Sequence, residues 1–114
     1  MTMQYRSIDA DFAVSAQIRP EELIQIAQAG FKTIVCARPD HEDQGQPRFD
    51  EIASRADAMG LKAIHIPVSG GVSDGAATSM QKALRQLPRP MLGYCRSGNR
   101  AGQLYEAARQ TASR

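Results

Sequence analysis

The stretch Met91-Leu92-Gly93-Tyr94-Cys95-Arg96-Ser97-Gly98-Asn99-Arg100 passes from an apolar run into a polar segment with one cysteine and two arginines. Its first four residues are typical of a short buried β-strand. The residues after it are apolar at the i, i+3, i+4 and i+7 spacing of an amphipathic helix, namely Ala101, Leu104, Tyr105 and Ala108. Residues 95–100 are therefore predicted to connect a strand to a helix.

The same alternation runs through the rest of the chain. Apolar runs predict strands and helical spacing predicts helices, with strands at 5–8, 12–15, 33–37 and 62–68 and helices at 20–30, 49–59 and 73–87. Ser73 or Asp74 is expected to cap the last of these helices. The pattern predicts an α/β fold, a mostly parallel sheet with helices on both faces. Ligands bind beyond the carboxyl ends of such strands, where the loops 38–47, 69–73 and 95–100 should converge.

Length and composition narrow the function classes. The 114 residues fit one compact domain spanning residues 1–114. The net charge of +2, without a basic cluster interleaved with aromatics, argues against a nucleic-acid partner. No apolar run approaches the roughly 20 residues of a membrane span, and the N-terminus lacks the apolar core of a signal peptide. We therefore expect a cytoplasmic protein that does not contact membranes.

The cationic residues and the cysteines indicate which classes of ligand to expect. Eleven of the fourteen cationic residues are arginine, whose guanidinium forks onto oxyanions. Two cysteines are too few for a disulfide framework. There is no Cys-x-x-Cys pair, and His41 and His65 are far apart in the chain, so we expect no zinc site and no other cofactor.

The segment 95–100 carries the predicted chemistry. A thiol at a helix N-terminus faces unpaired N–H groups, and with Arg96 and Arg100 beside it the thiolate form of Cys95 is favoured. Because Ser97 and Gly98 are small, the backbone can curl so that several N–H groups of the loop, including that of Asn99, point inward. Together these N–H groups would form an anion-binding nest. Arg100 can add a bidentate fork to the same anion. A cysteine after an apolar strand is usually a small buried hydrophobe, but this combination favours a reactive Cys95.

These residues also carry a resemblance. The run Cys95-Arg96-Ser97-Gly98-Asn99-Arg100 resembles the active-site loop of rhodanese-type sulfurtransferases. The segments 12–17, 20–30 and 30–40 resemble a bacterial family known as the phosphatase-like domain of beta-lactamase hydrolase-like proteins, or as proposed sulfur transferases. This resemblance implies a fold like the dual-specificity phosphatases, with about five strands. Members of this family occur alone or fused to a metallo-beta-lactamase-like domain implicated in sulfide metabolism, so the resemblance makes such a domain a candidate partner.

The loop departs from the phosphatase pattern. Protein tyrosine phosphatases have five residues between cysteine and arginine, but here position 101 is Ala101 and the arginine is Arg100. A shorter loop should suit a single sulfur better than a phosphate ester. A phosphatase also needs a general acid, yet residues 67–73 contain none. Asp74, better placed as a helix cap, and Asp40 are the candidate acids. Both features favour sulfur transfer.

Other residues have alternative readings. Arg38 could contact substrate or could pair with Asp40 or Glu42. His65 is expected to pack or hydrogen-bond rather than act as a base, and His41 to be solvated. Cys36 is expected to be a buried residue. The alternative is a resolving thiol that forms a disulfide with Cys95, which requires their Cα atoms to lie within about 7 Å.

The sequence thus predicts a thiol-dependent sulfurtransferase. Cys95 would form a persulfide from a small-molecule sulfur donor and pass the sulfur to an acceptor, with Arg100 and the loop amides holding the anion and Arg96 at the entrance. The alternative is a cysteine-dependent phosphatase that forms a phosphocysteine on Cys95, with Asp74 or Asp40 as acid. A second alternative is a non-catalytic module that binds a small oxyanion or a persulfide.

Overall fold

A computed structural model describes residues 4–112 of the chain. The strands are β1 (Arg6–Ser7), β2 (Phe12–Ser15), β3 (Thr33–Cys36), β4 (Lys62–His65) and β5 (Met91–Tyr94). The helices are α1 (Leu23–Gln28, after a 3-10 turn at Pro20–Glu22), α2 (Phe49–Ala58), α3 (Asp74–Gln86) and α4 (Asn99–Ala112). Each predicted strand and helix is present.

The described strands form one sheet in the order β1-β2-β5-β3-β4. β2, β5, β3 and β4 are parallel, and only β1 runs antiparallel to its neighbour. β5 and β3 are the central pair, with Cys36 opposite Tyr94. The predicted α/β fold with a mostly parallel sheet is confirmed, and the carboxyl ends of β2, β5, β3 and β4 lie at one edge.

Side chains that alternate along the strands build two cores, one on each face of the sheet. On one face Val14, Val35 and Cys95 pack with residues of α3 and α4, such as Met80 and Leu104. On the other face are Cys36 and Tyr94, together with Ile34, Leu92 and residues of α1 and α2 such as Ile26 and Ile52. Because both faces are covered, the central strands are apolar almost throughout.

Gly93 allows the closest packing beside the site. A Cβ at this position would lie 2.5 Å from Cζ of Phe12 and 3.2 Å from Cβ of Ala101. The Phe12 ring lies flat on Tyr105 of α4, with 4.2 Å between the ring centroids. The absence of a side chain at Gly93 therefore lets the first turns of α4 lie directly on β5, which fixes where the loop between them sits.

The end of β4 was predicted too late, whereas the Ser73 cap of α3 is one of the two caps that were predicted. β4 ends at His65 and not at Val68, although Ile66 and Val68 stay buried. Their N–H groups donate to the carbonyls of Cys36 and Ala37, so backbone pairing with the end of β3 continues past the strand. At α3 the cap is Ser73, whose hydroxyl accepts the Ala76 N–H at 3.0 Å. Asp74 is instead the first residue of the helix, and its side chain is not used as the cap.

Candidate functional site

The segment 95–100, here the nucleophile loop, turns tightly between β5 and α4. Cys95 has no exposed surface, and its Sγ accepts the Gly98 N–H at 3.0 Å. Gly98 has φ +99°, a conformation that favours glycine. A Cβ there would also lie 3.3 Å from the Ser15 carbonyl oxygen. Gly98 is thus required both by its backbone angle and by the proximity of β2.

The backbone N–H groups of this loop differ in whether they meet an acceptor. Gly98 donates to the thiol and Asn99 donates to the Ser97 hydroxyl at 3.3 Å. The N–H groups of Arg96, Ser97, Arg100 and Ala101 donate to no acceptor within residues 4–112. Unbonded amides just before and in the first turn of a 14-residue helix are donors of the kind that bind anions, so the nest remains a prediction.

Arg100 joins the nucleophile loop to the loop 38–47 and to the segment that follows β4. Its Nη1 donates to Glu42 Oε2 at 2.6 Å and to the Val68 carbonyl at 3.0 Å, and its Nη2 donates to Glu42 Oε1 at 2.8 Å. The Nε edge donates to no oxygen of the described residues. The hydrogen bond that Arg100 donates to Glu42 raises the pKa of Arg100, and its interaction with Cys95 adds to this shift. The guanidinium is therefore held from one side while interacting with the thiol.

The loop 38–47, here the acidic loop, neutralises the arginines of the site. Arg38 is buried, and its Nε, Nη1 and Nη2 donate to Glu42, Gln17 and Asp43 at 2.6 to 2.8 Å. Because each of its nitrogens is already bonded, the geometry favours the ion-pair reading of Arg38 over substrate contact. Arg96 is exposed, and its Nε lies 3.4 Å from Asp43 Oδ2.

Glu42 is the centre of this network. It bonds both Arg100 and Arg38, and the hydrogen bond from Arg100 is the largest cause that lowers its pKa to about 2. The sequence indicated Glu42 only as a partner for Arg38, four residues away. Its pairing with Arg100, 58 positions along the chain, and the role of Gln17 were missed because nothing local in the sequence signals them.

The two candidate acids differ in availability. Asp40 Oδ1 accepts the Phe49 N–H at 2.9 Å, at the start of α2, so this carboxylate serves the helix. Asp74 is exposed and makes no hydrogen bond or ion pair within residues 4–112. It follows the segment whose Val68 carbonyl holds Arg100. The side-chain carboxylate of Asp74 is therefore available to act as an acid, whereas that of Asp40 is already hydrogen-bonded.

Cys36 and His65 serve the structure of the other face. Cys36 Sγ donates to the Arg38 carbonyl at 3.3 Å, and His65 Nε2 contacts the same oxygen at 2.8 Å. His65 also stacks on Phe49, so its expected packed role is confirmed. Burial raises the pKa of Cys36. Cys36 and Cys95 belong to opposite cores, so the geometry favours the reading of Cys36 as a buried residue over that of a resolving thiol.

A comparison with protein families settles the relationship of the chain. Residues 4–112 match the family described as "Beta-lactamase hydrolase-like protein, phosphatase-like domain". The chain belongs to this family. A beta-lactamase hydrolase-like protein of Xylella fastidiosa is 32% identical over 104 residues, which are 90% of this chain and 24% of that protein. The chain thus spans about a quarter of the length of this relative.

Solved structures show the fold of the family. A candidate phosphatase from Neisseria meningitidis is 31% identical, with a TM-score of 0.83 over 96% of this chain and 78% of that one. The catalytic core of the PP-IP phosphatase Siw14 from S. cerevisiae is 18% identical, with a TM-score of 0.70 over 100% of this chain and 70% of that one. The chain has a cysteine-dependent phosphatase type of fold, similar to the tyrosine and dual-specificity phosphatases.

Neither a membrane-spanning helix nor a metal-binding cluster is present among the described residues. Within residues 4–112 no helix is both long and apolar enough to cross a bilayer. In the same part of the chain no group of three or more His, Cys, Asp or Glu is arranged to hold a metal ion.

Proposed function

We propose that this domain is a cysteine-dependent phosphatase that hydrolyses phosphate monoesters through a phosphocysteine on Cys95. The observation that carries the proposal is the position of the Cys95 thiol, which accepts the Gly98 N–H at the start of α4 and lies beside the guanidinium of Arg100. The family and its phosphatase-like fold support this reading over sulfur transfer.

In the first step the Cys95 thiolate attacks phosphorus. An S–P bond forms, the ester P–O bond breaks, and the leaving alkoxide takes a proton from the Asp74 carboxyl group. The amides of the nest and the Nε edge of Arg100 stabilise the charge on the phosphoryl oxygens, since donors aimed at developing charge carry much of such catalysis. Because Cys95 has no exposed surface, substrate binding requires the loops around it to move apart.

In the second step water attacks phosphorus and the S–P bond breaks. The Asp74 carboxylate accepts a proton from the water, inorganic phosphate leaves, and the thiolate is restored. No oxidant, reductant or metal is needed for the balance of this cycle. Glu42 does not touch the phosphoryl group here; it holds Arg100 by the Nη1 and Nη2 side.

The test compares two aryl phosphates. The purified domain should hydrolyse para-nitrophenyl phosphate and phenyl phosphate, and vanadate should inhibit both reactions. Asp74→Asn should lower turnover of phenyl phosphate by about 10²-fold or more, because its leaving group needs a proton, and should affect the nitrophenyl ester much less. Asp40→Asn is the matched control and should change the turnover of the two esters by the same factor. No turnover of either ester would refute the proposal.

The length of the nucleophile loop favours a second candidate. Its four residues between Cys95 and Arg100, one fewer than in tyrosine phosphatases, suit a smaller group than phosphate. A sulfurtransferase would take a sulfur atom from thiosulfate or glutathione persulfide onto Cys95. Intact-mass spectrometry would then show a gain of one sulfur that cyanide removes and that Cys95→Ser lacks. An unchanged mass with both donors would remove this candidate.

A further inference from the structure

A crevice opens directly beside the nucleophile loop. Its volume is about 280 Å³, and its walls include Tyr5, Arg6, Val14, Ser15 and Ser97. Ser97 belongs to the nucleophile loop, and Ser15 is the β2 residue whose carbonyl accepts the Cys95 N–H at 3.4 Å. The crevice is thus continuous with the framework of the site.

Strand register places Arg6 on the same face of the sheet as Cys95. β1 is antiparallel to β2, and Arg6 lies opposite Val14. Val14 belongs to the core on the α3 and α4 face. A Cβ at Gly102, in the first turn of α4, would lie 4.0 Å from Val14 Cγ1. The side chain of Arg6 therefore lies next to the helix terminus from which the nucleophile loop projects.

The charges around the site are unevenly matched. Arg38 and Arg100 are each paired with Glu42, and Arg96 lies near Asp43. Arg6 is exposed and has no carboxylate partner within residues 4–112. It also lies near the positive end of α4, which favours anions in the same place. The other three arginines share the carboxylates of Glu42 and Asp43, so Arg6 is the one of the four whose charge no carboxylate of residues 4–112 contacts.

We propose that this crevice binds a second anionic group of the substrate, a carboxylate or a further phosphate, through Arg6. The inference rests on the proposed function, because it assumes that a phosphoryl group occupies the nest. Ser97 and Ser15 supply polar walls, and the substrate would carry its second anion on the part that leaves. Arg6 then selects among phosphate esters without taking part in the chemistry.

The test measures binding to the Cys95→Ser protein, which holds ligand without turning it over. The probes are phenylphosphonate and its meta- and para-carboxyl derivatives, and the readout is the ratio of their dissociation constants. We expect at least one carboxylated probe to bind about three- to fivefold tighter, as an exposed ion pair allows. Arg6→Gln should bring this ratio to one, and Arg6→Lys should keep part of it. Arg85→Gln, which removes one exposed charge from α3, should leave the ratio unchanged.

The outcomes separate the two proposals. A preference for the carboxyl group that survives in Arg6→Gln, or no preference in any probe, would overturn the crevice site while the proposed function stands. If phenylphosphonate itself fails to bind, both the proposed function and this inference fail. Loss of the preference in Arg6→Gln alone supports the assignment.

Discussion

The two central strands end in similar sequences but have different chemistry. β3 ends at Cys36 and is followed by Ala37-Arg38, and β5 ends at Tyr94 and is followed by Cys95-Arg96. Each strand therefore has a cysteine and an arginine at the same edge of the sheet. Cys36 donates its proton to the Arg38 carbonyl, and burial raises its pKa. Cys95 instead accepts an N–H at the start of α4.

This difference has two physical causes. Cys36 pairs with Tyr94 in the register, so the next residue along β5, Cys95, faces the opposite core. In addition, β5 is followed by a tight loop and a helix N-terminus, whereas β3 is followed by the acidic loop. Side-chain alternation and the element that follows the strand thus place Cys95, and not Cys36, at a helix N-terminus.

The largest expected effect separates the two cysteines. Cys95→Ser should lower phosphatase turnover by about 10³-fold or more, because it removes the nucleophile. Cys36→Ser should change turnover by less than about threefold, since its thiol lies on the other face. Steady-state hydrolysis of para-nitrophenyl phosphate measures both, and circular dichroism checks folding. Equal losses in the two variants would remove the distinction.

The next effect separates the two arginines. Arg100→Lys should reduce kcat/KM by about 10²-fold, because lysine keeps the charge but loses the planar fork. Arg38→Lys should instead lower the free energy of unfolding by about 1–2 kcal/mol, through lost hydrogen bonds to Gln17 and Asp43. Urea unfolding and kinetics on both proteins are the measurements. A kinetic defect in Arg38→Lys as large as that in Arg100→Lys would contradict a supporting role for Arg38.

A smaller effect is expected from the backbone of the nucleophile loop. Gly98→Ala should cost about 1–3 kcal/mol for its positive φ and should reduce activity by about tenfold as the nest distorts against Ser15. Gly30→Ala is a matched control, because its φ of +100° is nearly the same but no atom lies within 4 Å of the added Cβ. It should lose stability and keep its activity. Full activity in Gly98→Ala would show that the nest tolerates the change.

The smallest effect concerns acid stability. The pKa of Glu42 is lowered to about 2 in the folded protein, against 4.5 for a free side chain. Its contribution to stability is therefore complete above pH 4.5 and is lost as the pH falls towards 2. Urea midpoints should fall less steeply for Glu42→Gln than for the unchanged protein over this range. Parallel curves would mean that Glu42 is not coupled to folding.

The sequence predicted the elements well because their signals are local. Met91–Tyr94 and Phe12–Ser15 have the predicted bounds, since short apolar runs between turn residues leave few alternatives. The end of β4 was placed too late because Ile66 and Val68 are buried without lying in the strand.

The candidate site was predictable only in part. Cys95, Gly98 and Arg100 lie in one short segment, so the sequence alone brings them together as candidates. The contacts of Glu42 with Arg100 and of Gln17 with Arg38 join distant segments, and only the folded chain brings them together. The loop length pointed to sulfur, whereas the relatives and the fold favour a phosphatase.

The central claim is that Cys95 becomes phosphorylated during turnover. Asp74→Asn should accumulate the phosphocysteine intermediate when para-nitrophenyl phosphate is the substrate. The nitrophenolate leaves without a general acid, so the intermediate still forms. Its hydrolysis slows because water then attacks without a base. The reaction is quenched in denaturant at alkaline pH, and mass spectrometry then maps the peptides. The account predicts one phosphoryl group on the Cys95 peptide and none on the Cys36 peptide. Sustained turnover with an unmodified Cys95 peptide would contradict it.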